Sequence, residues 1–70
     1  MKKAEIHFRS HGPSGNVYAI LGAVRDQMRK ERRITDYNEM WERVQDSWSY
    51  PDALAVIREY VNLIDDDGMY

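Results

Sequence analysis

The chain has 70 residues, no cysteine, two histidines and a net charge of −2, with 43% hydrophobic and 31% charged residues. That length fits one domain with a thin core, and the lack of cysteine excludes disulfides and thiolate metal sites. No apolar run reaches membrane-span length and no stretch has a signal-peptide h-region, so the expectation is a soluble, cytoplasmic protein.

The first element is an alternating run, KAEIHFR, over 3–9. Ala4, Ile6 and Phe8 point one way and Lys3, Glu5, His7 and Arg9 the other, which predicts a half-buried strand. A strand needs a partner for its backbone groups. The chain offers one further candidate, Tyr60–Ile64, which also reads as the end of a helix. Pairing across a dimer axis is the other solution. With neither disulfide nor metal available, a homo-oligomer, dimer or larger, is expected to complete so small a core.

A loop over 10–16 follows, containing HGPSGN, and then a helix predicted over 17–33. Val17, Ile20, Leu21, Val24 and Met28 recur at helical spacing. Ser14 or Asn16 is placed to cap its first turn, and Arg29, Lys30, Arg32 and Arg33 crowd its carboxyl end. A second helix is predicted over 36–48, where Asp36 and Glu39 have capping-box spacing and Tyr37, Met40, Trp41, Val44 and Trp48 share a face. The third is predicted over 50–64. Ser49 and Asp52 match the box spacing, Pro51 stands in the first turn, and apolar residues surround most of the helix. The run DDDGMY reads as a frayed acidic tail over 65–70. The fold class expected is mainly α: one short amino-terminal strand and three helices, completed by oligomerisation.

The stretches Gly15–Gly22 and Ser49–Val61, within SHGPSGNVYAILGAVRDQMRKERR and SYPDALAVIREYV, resemble a group of short bacteriophage and prophage proteins. Members combine a short first strand, a Gly-Asn at a helix start with Ile/Leu-Leu-Gly soon after, and a late SYxxAL…EYV helix. The resemblance implies a viral or mobile-element origin. It carries no established activity and transfers no catalytic residue. Phage proteins of this size are often inhibitors of host defence, so it implies counter-defence by binding.

The charge is unevenly spread. Residues 1–33 hold eight Lys/Arg against three Asp/Glu, giving +5; residues 34–70 hold two against nine, giving −7. Such asymmetry points to an anionic partner for the first half, to self-complementary assembly, or to mutual neutralisation within one fold.

Two features carry candidate chemistry. The glycine loop precedes a helix amino terminus, where unpaired N–H groups suit phosphate, and Arg9, His11, Ser14, Gly15 and Asn16 surround it. It lacks the Gly-Lys-Ser/Thr of a P-loop and the dinucleotide glycine spacing. Its plain reading is a turn with an N-cap. Beside the core stripe of the first helix, Tyr18, Gly22, Arg25, Arg29 and Arg32 recur at spacings of 4, 3, 4 and 3. That row suits a base and its phosphates. Alternatively Gly22 admits a close helix and the arginines are solvated or paired with the acidic half.

No nucleophile–base or metal-ligand spacing is present, so neither enzyme activity nor a cofactor is expected. A helix-turn-helix is disfavoured because the third helix is too apolar and the second acidic. Tyr37, Trp41, Trp48 and Tyr50 form an aromatic cluster that reads mostly as core, with Trp48 a candidate for an interface. The function expected is a non-enzymatic, phage-type binding protein sequestering a phosphate-bearing nucleotide signal through Arg9, His11, Ser14, Gly15, Asn16, Tyr18, Arg25 and Arg29. The alternatives are an inhibitor that covers a host protein with its acidic helices, or a ligand-free accessory protein.

Overall fold

The computed structural model describes residues 4–12 and 15–69. The chain runs β1 (Glu5–Phe8), α1 (Val17–Lys30), α2 (Ile34–Gln45), α3 (Tyr50–Arg58) and β2 (Asn62–Asp65). It is mainly helical and opens on a short strand, as the periodicity implies. Lys3, the predicted start of that strand, lies outside the described residues.

The strand's partner comes from the same chain. β2 pairs with β1 in parallel, in register from Glu5↔Asn62 to Phe8↔Asp65. The helices between them form the long crossover that a parallel pair needs. The helix expected over 50–64 therefore ends at Arg58, and of the ambiguous Tyr60–Ile64 the last three residues are strand, after a turn at Tyr60 and Val61. Val61 and Leu63 are buried on either side of exposed Asn62, a period of two that a helix cannot use. Asn62 N–H donates to Ala4 O (2.8 Å) and Asp66 N–H to Phe8 O (2.8 Å). With this pairing, the case for oligomerisation from a lone strand no longer holds.

The core gathers Ile6 and Phe8 of β1, Ile20, Leu21, Val24 and Met28 of α1, Met40 and Val44 of α2, Ala53, Leu54 and Ile57 of α3, then Val61 and Leu63. The apolar positions picked out by spacing along α1 are thus its core-facing side, apart from Val17, which packs at the margin.

Helix ends differ from the sequence expectation for local reasons. α1 stops at Lys30, three residues early. Arg32 takes a left-handed backbone, φ 58°. Arg33 N–H donates to Met28 O (2.7 Å) and Arg32 N–H to Arg29 O (3.2 Å). These are the two bonds of a Schellman cap, with arginine where glycine is usual. α2 begins at Ile34, and no capping box forms: its N-cap, Arg33, makes no side-chain cap bond. Asp36 instead accepts from Arg33 Nε at 3.0 Å. α2 ends at Gln45 rather than at residue 48, because Ser47 Oγ donates to Val44 O at 2.5 Å and competes with the helical ladder. α3 starts as its sequence implies, with Ser49 Oγ accepting from Asp52 N–H at 3.3 Å and Pro51 in the first turn. Trp48 is left in the short connection between the two helices.

Arg43 fastens α2 to the far end of α3. It donates from both terminal nitrogens to Glu59 (3.0 and 2.6 Å) and lies 5.8 Å from the Tyr60 ring centroid.

Candidate functional site

The acidic segment after β2 is not frayed: it is tied to the glycine loop. Asp65 Oδ1 accepts from Ser10 N–H (3.2 Å) and Asp67 N–H (2.9 Å), and Asp65 Oδ2 accepts from Met69 N–H (2.8 Å). Asp67 accepts from Arg9 Nε (3.2 Å) and from His11 N–H (2.9 Å). The His11 N–H, and after it the Arg9 guanidinium, hold the Asp67 carboxyl below the usual carboxylate range. His7 Nδ1 stands 2.9 Å from Asp66 Oδ1. That hydrogen bond and charge raise the imidazole above its ordinary value. The loop does hold an anion, and the anion is the chain's own Asp67.

Gly15 has a structural role. A Cβ there would stand 2.6 Å from both Arg9 O and Ser10 O, so only glycine lets the loop lie against the end of β1. Its carbonyl accepts from Tyr50 Oη, which ties the loop to α3. Asn16 is the N-cap of α1, its Oδ1 accepting from Tyr18 N–H at 2.8 Å. Ser14 lies outside the described residues. The Arg9 side chain, the His11 backbone N–H and Gly15 are therefore committed to the fold.

The second candidate row keeps its exposure. Tyr18 is 72% exposed, and Arg25, Arg29 and Arg32 are all exposed. Among the described residues no carboxylate pairs with these three arginines. From the acidic half, Asp67 pairs with Arg9, Glu59 with Arg43, Asp66 with His7 and Asp36 with Arg33, which also bonds Glu31. A Cβ at Gly22 would meet nothing within 4 Å. Gly22 thus leaves the row open and takes no close helix from this chain.

Tyr18 also forms one wall of a groove of about 460 Å³ at the junction of the three helices. Leu21, Trp41, Val44, Trp48 and Tyr50 are among its other lining residues. Trp48 is 95% exposed, the one residue of the aromatic cluster that its place at a predicted helix end set apart from the core. It projects because α2 ends before it. No arginine lines the groove; Arg25 lies one helical turn beyond Leu21 on the same helix, about 10 Å along the axis from Tyr18. The sequence row contained Tyr18, Arg25 and Arg29 but not the opposite wall, Trp41 and Trp48. The one signal for that wall was a tryptophan at a predicted helix end.

Among the described residues no group of three His, Cys, Asp or Glu side chains is placed to hold a metal ion, and no helix is long and apolar enough to cross a membrane. Set against known proteins, the chain matches no family model, no curated protein and no solved structure.

Proposed function

We propose that this chain is a non-enzymatic binding protein that sequesters a phosphate-bearing nucleotide signal, in keeping with a bacteriophage counter-defence role. The base lies in the groove between Tyr18 and Trp48, and the phosphates lie on Arg25 and Arg29. The observation that carries the reading is that α1 both lines an aromatic groove, through Tyr18, and exposes Arg25 and Arg29, which no carboxylate neutralises among the described residues. Aromatic faces stack on any base, and guanidinium forks suit phosphate oxygens. Arg9, His11 and Gly15 drop out of the ligand set, since Asp67 and the fold already occupy them.

Calorimetric titration of linear and cyclic nucleotides tests this. A nucleotide of the right class binds the wild type, and its affinity falls as salt rises. Trp48→Ala weakens it about tenfold or more, from the roughly 1–3 kcal/mol of one stacked base. The pair Arg25→Glu with Arg29→Glu abolishes it. No heat with any nucleotide, or affinity unchanged in both variants, counts against the site.

A second reading, inhibition of a host protein, is favoured by the exposure of Trp48 close to Asp46 and Asp52 in sequence. Neither carboxylate has an ion-pair partner among the described residues. Tryptophan is enriched among the residues that anchor protein interfaces. Under that reading, Asp46→Lys and Asp52→Lys disrupt function and the arginine variants do not.

A further inference from the structure

The two edges of the small sheet are finished differently. The β1–β2 register and the bonds at either end of it aim the backbone groups of Ile6 and Phe8 at β2. Parallel geometry then turns those of Glu5 and His7 outward. On the outer edge of β2 the corresponding carbonyls are occupied: Leu63 O accepts from Arg58 Nε (3.2 Å) and Asp65 O from Gly68 N–H (3.0 Å). On the outer edge of β1, no hydrogen bond reaches the backbone N–H or C=O of Glu5 or His7 among the described residues. The edge ends at Arg9, whose carbonyl is taken by Gly12 N–H (2.9 Å). An open edge of this kind is a template for another strand.

We infer that the β1 edge pairs antiparallel with β1 of a second copy about a two-fold axis at Ile6, making one four-stranded sheet with β2 strands on the outside. This register uses every outward group. Glu5 N–H donates to the carbonyl of the partner's His7, Glu5 O accepts from its N–H, and symmetry repeats both bonds. It also sets Glu5 opposite the partner's His7 twice on the exposed face, a carboxylate against an imidazole. A register that sets Glu5 against the partner's Glu5 opposes like charges. One centred on His7 needs the Arg9 carbonyl that Gly12 already occupies. The fit is therefore self-complementary, as a two-fold interface requires.

Sedimentation over a range of concentrations tests the pairing, with a wild-type species of twice the protomer mass expected at the upper end. Glu5 is exposed, and among the described residues its side chain makes only a 3.9 Å contact with His7, so Glu5→Lys keeps the fold. It puts two cations against imidazoles and weakens the dimer about tenfold. The native chain has no cysteine, so register is read directly by oxidising a mixture of Glu5→Cys and His7→Cys chains. Opposed positions about 5.5 Å apart at Cα form the disulfide, and the mixed 5–7 adduct exceeds either homodimer. A wild type that sediments at the protomer mass throughout overturns the inference. So does a dimer that is indifferent to Glu5→Lys, or one that cross-links 5 to 5 in preference to 5 to 7.

Discussion

Gly15 shows how a single residue decides what a loop is for. Its absent side chain admits the carbonyls of Arg9 and Ser10, and its own carbonyl takes the Tyr50 hydroxyl. Both contacts are with backbone, which cannot swing aside. Gly15→Ala is therefore expected to destabilise the chain by about 1–3 kcal/mol, the usual range for overpacking, as a lower midpoint in urea. Gly15→Val does more damage and is unsuited to testing ligand access. Tyr50→Phe removes the donor while keeping the ring, and leaves Gly15 O without it. A loss of about 1 kcal/mol follows, within the range for an unmade hydrogen bond. If Gly15→Ala melts as the wild type does, the loop does not pack as described.

Among the elements, the α1–α2 turn and α3 make opposite demands. The turn places Arg32 at φ 58° within a Schellman cap, a backbone that costs a non-glycine residue roughly 1–2 kcal/mol. Arg32 is exposed, so Arg32→Gly relieves that cost without touching the core. Glycine's greater freedom in the unfolded chain offsets part of the gain. A net rise of about 0.5–1 kcal/mol is expected, a few degrees in melting temperature for a domain this small. An unchanged or lower melting temperature would contradict the left-handed turn. α3 is the opposite case. Ile57 is fully buried between α2 and the sheet, and Ile57→Asp leaves an unpaired charge there. The cost of about 3–5 kcal/mol approaches the whole stability of so short a chain. Loss of the cooperative melt is expected. Val56, only partly buried, tolerates the same change better.

At the scale of the whole molecule, the contacts of Asp65–Asp67 with His7–His11 join the two chain ends into one unit, and its charges set a pH window. His7 is raised above 6.5 by Asp66. Its contribution is complete below the unfolded value and is lost as pH rises through the folded one. Asp67 is lowered below 3.8 by the His11 N–H and Arg9. Its contribution is present above the unfolded value and is lost as pH falls through the folded one. Both are complete between 3.8 and 6.5. Melting temperature is therefore expected to be highest in that interval and to decline on either side. Asp66→Asn flattens the alkaline limb, and Asp67→Asn flattens the acid limb. A profile whose alkaline limb persists in Asp66→Asn would place the titrating group elsewhere.

The sequence alone determined the helical class, the first strand, the core-facing stripe of α1, the Ser49 cap and the placing of Tyr18, Arg25 and Arg29 in one row along α1. All of these depend on spacing within one element or on bonds that span a few residues. It left Tyr60–Ile64 open because five apolar-rich residues fit either period. The strand is settled by pairing with β1, more than fifty residues away, where Ala4 and Phe8 supply the carbonyls at either end of the ladder. Tertiary structure alone decided that Asp67 fills the glycine loop, that Gly15 packs against backbone, and that β1 keeps one open edge. Each depends on which distant group arrives first at a donor, an acceptor or a space. Hydrophobic periodicity carries no record of that competition.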